Sequence, residues 1–252
     1  MRVPLFLLCV LLNLLWQPAH AEQRPLTLLS FDYPPFMEPT AAPVPASGMA
    51  VDIVVEAFRR MKVPVRIVFY PLARGLAMLE AGQADGIFTI KKNPEREARF
   101  LFPVRPLLSQ DYVIFVRKDS NITFDGDLKS LEHLSIGVLN KSSYGPVFDG
   151  AVQTGLFTKL EVANSHEGNF LKLLAHRMDA VVCSRVVGIA LLKRLNAEDA
   201  AVVTGPVLES APSYLMFNRQ LVSPELVRRF DVTLAAMQDD GTLADIEKKY
   251  PR

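Results

Sequence analysis

Residues 67–103 read IVFYPLARGLAMLEAGQADGIFTIKKNPEREARFLFP, and the pattern within them predicts an α/β fold. The stretch indicates the end of a strand, a helix over residues 72–81, a second strand over residues 85–89 and then a short helix. Asn93-Pro94 opens that short helix, because Asn is a preferred cap and Pro suits the first helical position.

Arg96 falls in the first turn of the short helix, beside free backbone N–H groups and the positive end of the helix dipole. This combination favours an anion, most naturally a carboxylate. The alternative is a surface ion pair between Arg96 and a glutamate, and spacing alone does not separate the two.

The same pattern recurs 94 residues later in the chain. Residues 79–88 (LEAGQADGIF) lie over residues 173–182 (LLAHRMDAVV), so we predict two similar α/β lobes. Asp85 and Asp179 hold the same place in the two copies, in the tight turn from helix to strand. A carboxylate there can accept backbone N–H bonds, and we predict a structural role for both.

The order of the predicted elements divides the chain. Short strands are expected at residues 112–117, 201–203 and 214–217, and two C-terminal helices are expected to return to the first lobe. We therefore predict that lobe 1 comprises residues 22–111 plus 215–252 and that lobe 2 comprises residues 112–214. The two crossings would form a hinge near residues 110–113 and 213–216.

The first 21 residues have the features of an export signal. Arg2 is followed by an apolar run at residues 5–15, and Ala-His-Ala at residues 19–21 fits a cleavage site. The run is short for a membrane span. We expect a signal peptide over residues 1–21, cleavage after Ala21 and a periplasmic protein.

Charge and cysteine content exclude several classes of protein. The chain has 28 Lys and Arg against 27 Asp and Glu, and loss of Arg2 with the signal peptide leaves 27 − 27 = 0. A neutral chain gives no support to nucleic-acid binding. Cys183 is the only cysteine beyond the signal peptide, which excludes an intramolecular disulfide, and its apolar surroundings predict a buried, inert thiol.

Loops at the carboxyl ends of strands are where open α/β sheets bind ligands. Residues 32–36 (DYPPF) follow the first predicted strand, and Tyr33 and Phe36 either wall a pocket there or cover the sheet edge. Residues 140–146 (NKSSYGP) follow a strand of the second lobe and place hydroxyls before a helix start, where ordinary capping is also expected. With Arg96, they would close on a small polar ligand from opposite sides.

Taken in order, these motifs resemble those of the family 3 extracellular solute-binding proteins of bacterial polar amino-acid uptake systems. The resemblance rests on DYPPF, LEAGQADGIF, NPER, FLFP, DYVIFVRK, LSIGVLNKSSYG, LAHRMDAVV and DDGTLADIEKKY, which span nearly all of the mature chain. It implies a two-lobed, periplasmic-binding-protein-like (type II) fold, with two Rossmann-like lobes joined by a two-stranded hinge.

The resemblance also implies roles for individual residues. Arg96 holds the place of the arginine that grips the ligand's α-carboxylate, and Asn93 stands where the family usually has Thr. Ser142 and Ser143 hold the places of second-lobe residues that donate to the same carboxylate. The full predicted set of ligand-binding residues is Tyr33, Phe36, Tyr70, Arg74, Thr89, Asn93, Arg96, Ser142, Ser143, Tyr144 and Ser184.

One departure from the family pattern concerns the ligand's ammonium group. Family members that bind amino acids usually place an Asp just after the strand that corresponds to residues 179–182, whereas this chain continues with Cys183-Ser184-Arg185. A buried ammonium without a counter-charge is costly. Either Glu167 or Glu209 reaches into the cleft, or the ligand is not an ordinary amino acid.

Arg74 is a second candidate cation, within Tyr70-Pro71-Leu72-Ala73-Arg74. Together, Arg74 and Arg96 would favour a carboxylate-rich or otherwise anionic ligand. A solvated helix position is an equal alternative for Arg74.

The sequence therefore predicts a monomer that traps a small polar, carboxylate-bearing ligand, an amino acid or a relative, and delivers it to the permease of an ABC-type transporter. A sensor that presents its ligand to a membrane receptor uses the same closure and is not separated by sequence. A third hypothesis is an enzyme similar to cyclohexadienyl dehydratases. Such an enzyme needs a general acid, and no Glu or Asp stands out for that role. The chain lacks G-x-S-x-G, a phosphate loop and a Cys/His cluster, so we predict no enzyme, no cofactor and no metal.

Overall fold

The structure is a computed structural model that describes residues 24–41 and 46–250, so the predicted signal peptide lies outside the described residues. These residues form nine strands and eight helices, with a short 3₁₀ turn at Leu128–Leu131. The elements are β1 (Leu26–Ser30), α1 (Met49–Met61), β2 (Val65–Phe69), α2 (Leu72–Glu80), β3 (Gly86–Ile90), α3 (Pro94–Arg99), β4 (Phe100–Leu101), β5 (Leu108–Arg117), β6 (Ser135–Leu139), α4 (Pro146–Gln153), β7 (Lys159–Ala163), α5 (His166–Leu174), β8 (Ala180–Ser184), α6 (Arg185–Arg194), β9 (Ala201–Asn218), α7 (Pro224–Asp239) and α8 (Thr242–Glu247).

The strands follow the order β2-β1-β3-β9-β5-β8-β6-β7, with β4 paired to β9. In each lobe a parallel trio lies side by side, β2-β1-β3 in the first and β7-β6-β8 in the second. The antiparallel strands β9 and β5 lie between the two trios. This two-lobed α/β arrangement confirms the predicted fold class.

Strand β9 connects the lobes, and here the sequence prediction was wrong. Instead of two short strands, residues 201–218 form one strand, which pairs with β5 as far as Ser213 and with β3 and β4 from Tyr214 onward. Gly and Pro at residues 205 and 206 favour the interruption of a strand. In the structure they coincide with a register shift in the β5–β9 pairing, between Tyr112 and Ile114, and the strand continues. The change of partner lies beside the predicted boundary after residue 214; the boundaries themselves stay a prediction.

The C-terminal helices return to the first lobe, as predicted. Helix α7 packs on α1 through Phe58 and Phe230, whose ring centroids are 5.3 Å apart. At the end of α7, Asp240 accepts a hydrogen bond of 2.6 Å from Arg60 of α1. Within the described residues, no helix has the length and apolarity that a membrane crossing requires.

The internal repeat is confirmed element by element. β2 and β7, α2 and α5, and β3 and β8 begin and end 94 residues apart. Asp85 accepts the backbone N–H of Thr27 at 2.8 Å, and Asp179 accepts that of Ser135 at 2.8 Å. Each carboxylate ties the turn before one strand to the neighbouring strand, so the predicted structural role of both is confirmed.

Gly188 allows α6 to lie directly on β5, and its replacement tests this packing. A Cβ at Gly188 would lie 2.2 Å from Cζ of Phe115, a buried ring that already packs edge-on against Phe170. We expect Gly188→Ala to lower the free energy of unfolding by about 1–3 kcal/mol through overpacking. A Cβ at Gly150 of α4 meets nothing within 4 Å, so Gly150→Ala should raise it by up to about 1 kcal/mol.

Urea unfolding followed by circular dichroism measures both variants of this glycine pair. Equal effects of the two substitutions would contradict the close approach of α6 to β5.

Candidate functional site

Loops from both lobes meet around a small cavity of about 20 Å³, which we call the chamber. Its walls come from the ends of β1, β3 and β6 and from helices α2, α3 and α5, with Tyr112 contributed by β5. Five of the predicted ligand-binding residues line it: Tyr33, Thr89, Arg96, Ser142 and Ser143. A cavity of this volume holds about one water molecule, so the lobes are closed in this structure.

The chamber continues into larger openings on both sides. Beyond Arg96, a groove of about 650 Å³ runs between the lobes, and the predicted residues Asn93 and Tyr144 line it. On the opposite side, a pocket of about 250 Å³ shares Leu72 and His166 with the chamber and includes the predicted Tyr70.

Arg96 joins the two lobes through backbone carbonyls. Its Nη1 donates to the Lys91 carbonyl and its Nη2 to the Lys141 carbonyl, both at 2.9 Å. Its own N–H donates to the Asn93 side chain at 2.8 Å, so the predicted helix cap is confirmed. Among the described residues the guanidinium has backbone acceptors and no carboxylate ion pair, and burial lowers the pKa of Arg96. The surface ion pair with glutamate is therefore not what the structure shows.

Lys91 also lines the chamber and was missed by the sequence analysis. Its side chain is 6% exposed, and its Nζ donates to the Tyr112 hydroxyl and lies 4.1 Å from the centre of that ring. Within the part of the chain that the structure describes, no carboxylate forms an ion pair with Nζ. Burial lowers the pKa of Lys91 to about 7, against the attraction of Asp149. Its place directly after an apolar strand, five residues before Arg96, is the signal that could have found it.

A buried polar network holds the floor of the chamber. The hydroxyls of Tyr33 and Tyr112 are 3.1 Å apart, and both donate to Oε1 of Gln110, at 3.3 and 3.0 Å. The His166 ring packs on Tyr33 at 5.1 Å between centroids, and its Nδ1 lies 3.6 Å from Sγ of Cys183. Burial lowers the pKa of His166 to about 3 and raises the pKa of the Cys183 thiol, so both groups are neutral near pH 7. Cys183 is buried as predicted.

Much of the polar loop of the second lobe is occupied by the protein's own carboxylates. Ser143 Oγ and the Tyr144 N–H donate to the two oxygens of Asp149. The Val147 N–H, at the start of α4, donates to Glu209 at 3.1 Å. Glu209 is therefore held at the helix start and is not among the chamber walls, which answers one of the alternatives for an ammonium partner.

The remaining predicted residues lie outside the chamber. Arg74 is exposed, with its guanidinium 4.6 Å from the centre of the Tyr70 ring. This agrees with the alternative that Arg74 occupies a solvated helix position. Phe36 is buried behind Tyr33, with ring centroids 5.9 Å apart, and Ser184 is buried at the end of β8. The roles of all predicted ligand-binding residues stay predictions.

A cluster of opposite charges joins the lobes at the edge of the cleft. Arg194 at the end of α6 donates to both oxygens of Asp32, at 2.6 and 3.2 Å, across the gap between the lobes. Glu38 and Glu167 each lie 3.6 Å from the same guanidinium. Glu167, the other candidate partner for an ammonium, is thus directed to Arg194.

Comparison with known protein families identifies the architecture. A family model described as bacterial extracellular solute-binding proteins, family 3, matches residues 28–252. The chain belongs to this family. As a solute-binding protein it has the expected two lobes around a cleft. A comparison with curated protein sequences finds no match.

Solved structures with similar folds include binding proteins and a sensor. A histidine kinase sensor domain with similarity to periplasmic binding proteins superimposes with a TM-score of 0.80 at 18% identity, covering 90% of this chain and 96% of that one. An ancestral arginine-binding protein bound to arginine gives 0.77 at 22% identity, with 90% and 99% covered. A periplasmic binding protein of an arginine transport system from Legionella pneumophila gives 0.75 at 17% identity, with 90% and 99% covered. At these identities the likeness shows the fold.

The stability of this solute-binding protein should depend on pH through Lys91. Lysine in an unfolded chain has a pKa of about 10.4, above the value of about 7 in the fold, so the unfolded state holds more protons between these values. The Lys91 contribution to the free energy of unfolding therefore rises from about pH 7 to pH 10. We expect Lys91→Met to be more stable than the parent by roughly 1–4 kcal/mol at pH 6, with the difference shrinking towards pH 9.

Urea unfolding at pH 6, 7.5 and 9 measures the stability effect of Lys91→Met. The control is Lys92→Met, because the neighbouring Lys92 points away from the chamber and donates to the Pro103 carbonyl at 2.9 Å. A Lys91→Met difference that stays constant over this pH range would contradict the assignment.

Arg194 should bias the ligand-free protein towards closure. Its side chain is 34% exposed, so its pairs are screened by solvent and contribute about 1 kcal/mol or less. We expect Arg194→Ala to shift the population towards open lobes by up to about fivefold, and high salt to act in the same direction.

Distances between spin labels on exposed positions of α1 and α4 report the closure that Arg194 favours. Lys193→Ala, at the exposed neighbouring position, is the control. Identical distance distributions in the two variants would remove Arg194 from closure.

Proposed function

We propose that the protein captures a small carboxylate-bearing solute between its lobes and delivers it to the permease of an ABC-type transporter. The observation that supports this proposal best is the position of Arg96 at the chamber, without a carboxylate partner among the described residues and with hydrogen bonds to backbone on both lobes. A guanidinium so placed is available to an anion that enters between the lobes.

Capture exchanges backbone acceptors for a charged one. In this structure the Arg96 N–H groups donate to neutral carbonyls, whereas a carboxylate can accept two parallel bonds from the guanidinium and also brings an opposite charge. Ser142 and Ser143 line both the chamber and the groove. The Ser142 hydroxyl would donate to the same solute from the second lobe, whereas the Ser143 hydroxyl already donates to Asp149. Because the solute touches both lobes, binding favours the closed state.

The remaining parts of the proposal follow from the sequence and the family. The protein would be exported, lose residues 1–21 and act in the periplasm as a monomer without a cofactor. The transport system named for the Legionella structure supports delivery to a permease. The match to a family of solute-binding proteins supports a binding protein over a cyclohexadienyl-dehydratase-like enzyme.

A second candidate is a sensor that presents its solute to a membrane receptor. The similarity to the histidine kinase sensor domain favours it, because that domain uses the same two lobes. Uptake of labelled solute by cells with and without the gene separates the candidates: transport requires the protein for uptake, whereas a sensor leaves uptake unchanged.

Binding through Arg96 is tested by a thermal-shift screen of the mature protein against amino acids, di- and tricarboxylates, polyamines and short peptides. A solute that binds the folded state raises the midpoint by mass action. We expect a carboxylate to do so, and Arg96→Ala to weaken its binding about 100-fold or more because two charge-assisted bonds are lost.

The control for Arg96→Ala is Arg105→Ala, an exposed position away from the cleft. Circular dichroism should show that both variants stay folded, and prephenate should not be turned over. Unchanged affinity in Arg96→Ala would show that Arg96 does not bind the solute. Measurable turnover of prephenate would favour the enzyme hypothesis.

A further inference from the structure

We infer that the chamber, together with the openings that adjoin it, binds a solute with at least two anionic groups and no ammonium, and that Lys91 binds one of these groups. The inference rests on the proposed function and adds to it the charge of the solute. It depends on Lys91, whose presence in the cleft the family resemblance does not imply.

The first step is a count of charges around the chamber. Its described lining contains two cationic side chains, Lys91 and Arg96, and no Asp or Glu. A buried charge without a partner is costly, and two like charges at one cavity add repulsion to that cost. A dianion compensates both charges, whereas an α-ammonium would bring a third cation to a wall without an acid.

The second step is the direction of the Lys91 ammonium. One N–H of Nζ is directed to the Tyr112 hydroxyl, whose own proton goes to Gln110 Oε1. Among the described residues the other N–H groups of Nζ have no hydrogen-bond acceptor. The ammonium is thus fixed on the aromatic floor of the chamber, with donors left for a solute.

The third step is that the nearby acids are already engaged. Both oxygens of Asp149 accept protein donors, Ser143 Oγ and the Tyr144 N–H, and Glu209 accepts the Val147 N–H. These acids attract Lys91 from a distance without pairing with it. An amino acid would have to compete for Asp149 against two existing hydrogen bonds, whereas an anion meets Lys91 directly.

Charged and titratable groups on several neighbouring elements influence the protonation of Lys91. The titratable and charged groups that act on it or contact it are Asp149 on α4, Glu209 on β9, Arg96 on α3, Tyr112 on β5, Cys183 on β8 and His166 on α5. Burial lowers the pKa of Lys91 to about 7, and a bound anion raises it again. Affinity is therefore highest below pH 7 and falls by about tenfold for each pH unit above it, until the pKa of the complex is reached.

The test is isothermal titration calorimetry of the mature protein with matched pairs that differ by one ammonium: glutarate against L-glutamate, and succinate against L-aspartate. At pH 6 we expect at least one dicarboxylate to bind about tenfold or more tightly than its amino acid. Its affinity should fall roughly 50-fold between pH 7 and pH 9, with proton uptake seen as a dependence on the ionisation enthalpy of the buffer.

Variants assign the pH dependence of binding to Lys91. Lys91→Met should weaken binding of the dicarboxylate at pH 6 and remove the pH dependence. Lys91→Arg should keep a cation and also remove it, because arginine stays protonated over this range. Lys92→Met should behave as the parent protein, since that side chain donates to Pro103 outside the chamber.

Two results would overturn the inference and leave the proposed function standing. One is an amino acid that binds more tightly than its deaminated analogue at every pH, with affinity still lost in Arg96→Ala. The other is a Lys91→Met variant with the affinity and pH profile of Lys92→Met. Absence of binding by both members of each pair at pH 6 also overturns it, while the proposed function is judged separately by the broader thermal-shift screen.

Discussion

Two cations share one small cavity between the lobes, and the rest of the site is arranged around that constraint. Arg96 is stabilised by backbone carbonyls from both lobes, and Lys91 by the hydroxyl and ring of Tyr112. These partners are neutral, so they solvate the charges without cancelling them. None of the described residues that line the chamber carries a negative charge, so a bound solute would have to supply it.

The fold explains how loops distant in sequence reach one cavity. Each lobe presents the carboxyl ends of its parallel trio to the cleft, where open α/β sheets bind ligands. The repeat with a spacing of 94 residues makes the two faces alike, since β3 ends beside Lys91 as β8 ends beside Arg185. Strand β9 then holds the faces opposite each other by pairing with both lobes.

The sequence predicted what local patterns encode. The helix predicted over residues 72–81 is observed as α2 (Leu72–Glu80), and the structural roles of Asp85 and Asp179 followed from their turn positions. Lys91 was missed because its burial comes from Tyr112, 21 residues away on another strand. Arg194 was missed because its partner Asp32 is 162 residues away. Contacts of this kind depend on how the lobes meet, which no local pattern records.

Closure of the lobes is then a balance of two electrostatic contributions with opposite signs. At the edge of the cleft, Arg194 and three carboxylates attract across the gap, but solvent screens them. Inside, burial of Lys91 and Arg96 opposes closure, and the penalty is larger because water is excluded there. An anion bound between the lobes compensates the charges of Lys91 and Arg96, so these two cations then favour closure. The attraction between Arg194 and its carboxylates does not change. If the proposed function holds, a membrane partner recognises the closed state. The charge of the solute then determines whether that state is favoured.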